Sequence, residues 1–246
     1  MNRYVDIYAN VLPDMGTVGH DAPTEQQALE RLEQAEAGSV KTIIAAPLYT
    51  PEQYPSMDTF FEMRDERCLS LNAALAERQL PLRILGGAVL QYHSSLLKLG
   101  EKIRRFALGD SRYLLLDLPD VTLTPEFFDD MTKLQVMSGL TPILADFDRF
   151  YDAFTLEDFF ALREAGMLLQ ISAEGITSLE KRKLSLYLIG NENVHFIASG
   201  SQSPDEPLRI PDAMRMAQRN LPAEIYRRIK NNSGMLLSDA SPSQFL

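Results

Sequence analysis

The chain has 246 residues, 45% of them hydrophobic and 24% charged, a globular composition that fits one α/β barrel or two small domains. Its 34 acidic against 24 basic residues give a formal net charge of -10, which argues against a phosphate-backbone footprint and so against nucleic-acid binding. No apolar run of about 18 residues offers a membrane span. The N-terminus has no basic flank followed by an apolar core, and the single cysteine, Cys68, leaves no disulfide framework. A cytoplasmic protein without membrane insertion is expected.

Tyr4–Tyr8 reads as a first buried strand, followed by a polar loop through Ala22. Thr24-Glu25-Gln26-Gln27 matches a capping box, and Ala28, Leu29, Leu32 and Ala35 form the apolar face of the helix it starts, which ends at Gly38. Val40–Ala46 is a continuous apolar run, the pattern of a strand buried on both faces. After Pro47, Pro51 and Pro55 a long helix is expected over Ser56–Arg78. Strands are then expected over Arg83–Leu90, Tyr113–Asp117, Thr141–Asp146, Met167–Ser172 and Val194–Ser199. Short helical pieces over Ser94–Ala107 and helices over Thr124–Ser138, Leu156–Ala165 and Ser178–Ile189 alternate with them. Two helices near Pro211–Arg219 and Pro222–Lys230 precede a polar tail, 236–246, expected to be frayed.

Seven apolar strands, most followed by a helix, imply a parallel sheet, and the absence of a polar face on any strand suits a closed barrel wrapped by helices. No Gly-x-Gly-x-x-Gly follows a strand, and no linker or repeat divides the chain. The expected fold is a single TIM-like (β/α)7 barrel spanning 1–246. Function in such barrels gathers where strands run into their following loops. Those ends carry Tyr8 and Asn10; Pro47, Leu48 and Tyr49; Val89 and Gln91; Asp117; Asp146, Asp148 and Arg149; Ser172; and Ser199, Ser201 and Gln202. This is a polar mouth with three carboxylates, one Arg and no His. A Ser-His-Asp triad has no support, because His195 begins its strand at the opposite rim and His93 reads as a surface residue.

Several segments carry a family resemblance. Asp6-Ile7-Tyr8-Ala9-Asn10-Val11-Leu12-Pro13 is similar to a strand Asp-Ile-His-x-His-Ile-Leu-Pro, and Lys41–Tyr49 to one ending Ala-Thr-Pro-His-His. Ile84–Val89 resembles Leu-Pro-Gly-Gln-Glu, and Ser111–Pro119 resembles Ser-Arg-Tyr-Leu-Leu-Ile-Glu-Phe-Pro. Thr141–Arg149 resembles Thr-Pro-Ile-Ile-Ala-His-Pro-Glu-Arg, and Val194–Gln202 resembles Val-His-Phe-Ile-Ala-Ser-Asp-Ala-His. In this order the segments resemble the PHP-type (polymerase and histidinol phosphatase) bacterial tyrosine phosphatases of capsule and exopolysaccharide loci, the CpsB/YwqE family.

That resemblance implies a cluster of Mn²⁺ or other divalent ions that activates a water against a phosphoryl group. Carried over by position, its ligands become Tyr8, Asn10, Thr17, Leu48, Val89, Asp117, Asp146, Gly200 and Gln202. Leu48 and Val89 have no lone pair to give, whereas a hard ion wants about six oxygen ligands, several of them charged. The expectation is therefore a pseudophosphatase without a metal cofactor, with Asp117 and Asp146 the only candidates for one weakly held ion. Arg149 matches a family residue that contacts phosphate; the plainer reading is a salt bridge with Asp146 or Asp148. Tyr8, Asn10, Tyr49, Arg149 and Gln202 are candidate ligand contacts or cavity fillers, and Asp6 is expected to orient backbone. The implied partners are a bacterial tyrosine kinase or a polysaccharide-synthesis component, with homo-oligomerisation open. The alternatives are an active hydrolase using Asp117, Asp146 and Arg149, or Asp146 and Asp148 as acid and base, and a divergent barrel enzyme of unrelated chemistry.

Overall fold

The protein is described by a computed structural model over residues 3–119 and 123–245. The chain begins with β1 (Tyr4–Ala9), α1 (Glu25–Ala37), β2 (Val40–Ala45) and β3 (Leu48–Tyr49), then α2 (Met57–Glu77), β4 (Arg83–Gly86) and β5 (Val89–Gln91). A kinked 3-10 run, Ser94–Phe106, leads to β6 (Tyr113–Asp117), α3 (Pro125–Ser138) and β7 (Thr141–Leu144). A 3-10 turn (Phe147–Phe150), α4 (Leu156–Glu164), β8 (Leu168–Ser172), α5 (Ala173–Thr177) and α6 (Leu179–Gly190) come next. β9 (Phe196–Ala198), α7 (Ile210–Asn220), α8 (Ala223–Leu237) and a last 3-10 turn (Pro242–Gln244) complete it.

Local sequence accounts for much of this order. Thr24 starts α1 with a reciprocal capping box: its hydroxyl accepts the Gln27 amide, and the Gln27 side chain accepts the Thr24 amide. Thr124 caps α3 ahead of Pro125, and Gly139 stops it at a φ of 67°. The expected strand Val40–Ala46 forms as β2 and is followed beyond Pro47 by the short β3, whereas the expected Arg83–Leu90 divides into β4 and β5. Pro47 has no N–H to give a ladder, and Gly87 sits where a Cβ would come within 2.7 Å of Ile44. α5, between the expected strand ending at Ser172 and the helix starting at Ser178, forms under the Ser172 cap. α8 runs past the expected Lys230, through Asn232, whose side chain is buried and donates to the His195 carbonyl at 2.8 Å.

Every ladder is parallel, in two sheets ordered β1-β2-β4 and β3-β5-β6-β7-β8-β9. β3 prolongs β2 beyond Pro47 and β5 prolongs β4, so the two sheets form one succession around a barrel-like core. Its ends meet where Ala9 bridges Gly200, and the Gly200 amide donates to the Tyr8 carbonyl at 2.9 Å. Alternation along the strands divides the core. Ile44, Val89, Leu115, Ile143, Leu168 and Phe196 belong to an inner cluster. Ile43, Leu90, Leu114, Leu116, Leu144 and Ile197 pack outward under the helices. In β1 the register shifts between Asp6 and Ala9, and Ile7 and Tyr8 both join the inner cluster.

The tail is not frayed over 236–245. Arg112 and Asp239 form an ion pair at 2.8 Å, and Tyr113 donates its hydroxyl to the Ala240 carbonyl. Phe245, only 4% exposed, packs edge-on to Tyr113 at 5.6 Å and against Phe196 at 5.4 Å, at the starts of β6 and β9. An aromatic residue that fills the closed end of the barrel outweighs the polar composition around it. Phe245→Ala should therefore cost about 3 kcal/mol, the scale of a large-to-small core replacement. Urea unfolding checks this, and an unchanged midpoint would contradict the plug.

Candidate functional site

At the rim where β5, β6 and β7 end, alternation turns Gln91 and Asp117 inward, and the two residues are paired in register. Gln91 Nε2 donates to Asp117 Oδ2 at 3.2 Å, while Arg149 Nη2 takes Asp117 Oδ1 in an ion pair. Arg149 thus pairs with Asp117, not with Asp146 or Asp148 as the sequence suggested. Its Nε reaches the Asp146 carbonyl at 3.4 Å, and its guanidinium lies 5.1 Å from the Phe150 ring centroid. Asp117 is 1% exposed, whereas the Arg149 side chain is 39% exposed.

Asp146 lies just after β7 in a left-handed conformation, φ 45° and ψ 45°. That turn separates it from Asp148, although an extended strand would point both the same way. Asp146 Oδ1 accepts Gln170 Nε2 at 3.2 Å, its Oδ2 accepts the Ser201 amide at 2.8 Å, and its own amide donates to Gln170 Oε1. Burial, and then the charge of Asp148, push its carboxyl up from 3.8 to about 7, against the pull of the Ser201 and Gln170 hydrogen bonds and of Arg149. Gly200 makes room for it: a Cβ there would come within 2.3 Å of Asp146 Oδ1, at a φ of +82° that already favours glycine. Asp148 turns to β8 instead, accepting the Ser172 amide at 2.7 Å, the Ser172 hydroxyl at 2.9 Å and Lys181 Nζ at 3.1 Å. An acid–base pair of Asp146 and Asp148 facing one substrate atom does not form.

Opposite, Tyr8 shares a 2.8 Å hydrogen bond with Thr17. Burial raises its phenol well above the usual range, and the charges of Asp146 and Asp117 raise it further, so it stays a neutral hydroxyl. Asn10 donates to the carbonyls of Asp21 and Gln202, binding the first loop to the last. Asp6 does orient backbone: its Oδ1 accepts the Tyr8 and Ser199 amides, and burial lifts its carboxyl to about 6. Tyr49 stands outside this group, packed near Phe60 and Phe106 at 5.2 and 5.0 Å, where it lines a separate cavity. Gln170, Lys181 and Arg31 were missed from sequence. Arg31 donates to the Asn10 carbonyl, and burial lowers its guanidinium to about 10. Its place beside Ala28, Leu32 and Ala35 on the apolar face of α1 was the available signal.

These residues do not fit a cluster of divalent ions. Asp117 is neutralised by Arg149, both Asp146 oxygens are held by internal donors, and Leu48 faces Val89 across the β3–β5 ladder. Among the described residues no group of three or more His, Cys, Asp or Glu side chains converges to hold a metal.

Two outcomes follow for stability. Arg149→Met leaves a buried carboxylate with Gln91 as its side-chain partner; breaking a buried pair costs several kcal/mol, and the exposure of Arg149 lowers this to about 2 kcal/mol. Chemical denaturation checks the loss, and no loss would mean that the pair is idle. The folded state also holds the Asp146 proton more tightly than the unfolded chain does. The stability contributed by Asp146 is therefore fully present below pH 4 and is lost as pH rises through 7. A shift of that size corresponds to on the order of 4 kcal/mol. Asp146→Asn should flatten this decline in unfolding curves taken between pH 4.5 and 8, with Asp6→Asn as a separate control because Asp6 titrates in the same sense. A slope identical to wild type would refute the assignment.

Three comparisons set this geometry among known proteins. Residues 4–237 match the family described as "Capsular polysaccharide synthesis, CpsB/CapC". CapC of Staphylococcus aureus is 29% identical over 206 residues, spanning 81% of this chain and 77% of CapC. Among solved structures, one from work on YwqE of Bacillus subtilis and CpsB of Streptococcus pneumoniae, metal-dependent tyrosine phosphatases, superposes with a TM-score of 0.81. It is 21% identical and covers 96% of this chain and 95% of its own. The phosphotriesterase homology protein of Escherichia coli, solved with phosphate in its active site, shares the fold at a TM-score of 0.54 and 9% identity, covering 95% of this chain and 98% of that one. Matched over nearly its whole length, the chain belongs to the CpsB/CapC family of capsular polysaccharide synthesis.

Proposed function

We propose that this chain is a pseudophosphatase, a CpsB/CapC barrel that has lost metal-dependent phosphoester hydrolysis. It acts as a cytoplasmic binding or regulatory protein in capsule or exopolysaccharide synthesis, on a bacterial tyrosine kinase or a polysaccharide-synthesis component. The observation that carries this reading is the Asp117–Arg149 pair. A fixed guanidinium supplies the positive charge at the rim where divalent ions would need charged oxygens. Hydrocarbon at Leu48 and Val89, and a carboxyl at Asp146 that holds its proton to about 7, support the same reading.

A second reading, an active hydrolase, draws on that same Asp146 carboxyl, whose pKa suits a general acid at neutral pH. Against it stand the internal donors on both Asp146 oxygens and the engagement of Arg149 by Asp117. Turnover of p-nitrophenyl phosphate and of a phosphotyrosine peptide, with and without Mn²⁺, separates the two. Wild type and Asp117→Ala should both stay at the buffer rate, and Mn²⁺ should leave the melting temperature unchanged. Metal-stimulated turnover that disappears in Asp117→Ala would give the site back to catalysis.

A further inference from the structure

Beside the mouth and off the barrel axis lies a cavity of 420 Å³, in the size range of small-molecule sites. It is lined by Tyr49 and Glu52 from the end of β3 and its loop, by Gln91 from β5, and by His93, Leu96 and Leu99 at the entry to the 3-10 run. Its polar groups are largely uncommitted. Gln91 gives Nε2 to Asp117 and keeps Oε1 as an acceptor. His93 Nδ1 accepts the Ser95 amide at 3.2 Å, so the ring proton sits on Nε2, a donor with no hydrogen bond among the described residues. Burial raises the Tyr49 phenol, and the nearby Glu52 charge raises it further, so the hydroxyl remains protonated and able to donate.

No Lys or Arg is among the residues lining this cavity, the nearby Arg149 is engaged by Asp117, and Glu52 makes no ion pair among the described residues. An anion would meet a carboxylate with no counter-charge, on a chain that is already acidic. What remains is an aromatic ring, Pro51 and three leucines, Leu90, Leu96 and Leu99, for apolar faces, with donors and acceptors around them. Those complement a ring that carries C–H faces and a girdle of hydroxyls. We infer that this cavity binds an uncharged sugar ring, as a saccharide site at the shoulder of the barrel. The inference rests on the binding role proposed above and names its ligand class. The saccharide could come from polymer or from a nucleotide sugar, and the diphosphate of the latter is disfavoured here.

The test is ligand-observed NMR and calorimetry on the full chain, with cellobiose and N-acetylglucosamine as neutral probes and glucose 1-phosphate and UDP-glucose as charged ones. The neutral sugars should bind in the millimolar range, and the charged ones at least about tenfold more weakly. His93→Ala, at an exposed position, and Tyr49→Ala should each weaken neutral binding by about tenfold or more. Circular dichroism of His93→Ala should keep the wild-type spectrum, with melting lowered only by the loss of its bond to the Ser95 amide, which keeps the result readable if Tyr49→Ala disturbs its aromatic neighbours. No binding by either neutral sugar at about 50 mM, charged sugars binding as well as neutral ones, or neutral binding unaffected in His93→Ala would each overturn the site. Phosphatase turnover plays no part in this readout, so activity in the aryl phosphate assay alongside sugar binding would sink the non-catalytic reading and leave the cavity assignment standing.

Discussion

Four carboxyl groups, those of Asp6, Asp117, Asp146 and Asp148, are almost wholly withdrawn from water at one end of this barrel. An ionised carboxylate cannot be buried alone: it must be paired, fully hydrogen-bonded or protonated. The chain uses each remedy at a different residue. Asp117 takes a guanidinium, Asp148 takes an ammonium together with two donors from Ser172, and Asp6 and Asp146 move their pKa values towards neutrality. The cations come from the turn after β7 and from α6, so the mouth is neutralised by its own side chains.

That constraint reaches into the backbone. Asp146 occupies a left-handed turn, uncommon for a residue with a Cβ. Its oxygens are aimed at β8 and at the loop after β9, and glycine at position 200 leaves the space they fill. The contact between Ala9 and Gly200 that brings the two outermost strands together is thus built on the same glycine that accommodates the carboxylate. Barrel geometry and mouth chemistry share one residue, so a side chain there would disturb both.

The elements were legible because their signals are local. Continuous apolar runs marked the strands, and Thr24 with Gln27 and Thr124 with Pro125 marked helix starts. The strand breaks at Pro47 and Gly87 and the packing of Phe245 depend on what stands across the core, which a period of two or 3.6 does not encode. At the mouth, the sequence named Asp117, Asp146, Asp148 and Arg149 as neighbours and misjudged who pairs with whom. Strand alternation gives the face on which a side chain sits. The pairing was decided by the backbone turn at Asp146 and by the reach of residues such as Lys181, 33 positions beyond the Asp148 it pairs with.

Arg31 shows how far the electrostatic arrangement extends. It sits 4% exposed on the apolar face of α1, giving one nitrogen to the Asn10 carbonyl while Nε and Nη2 have no partner among the described residues. A buried guanidinium with open donors is costly unless a field or water compensates it. Asp6, Glu206 and Asp205 supply that field, each raising the Arg31 pKa against the burial that lowers it. The Asn10 carbonyl it holds belongs to the residue whose side chain binds the Asp21 and Gln202 carbonyls. A leucine at 31 would suit the face of α1 but would leave that junction without its donor, so the charge is retained inside the fold for the loops it fixes.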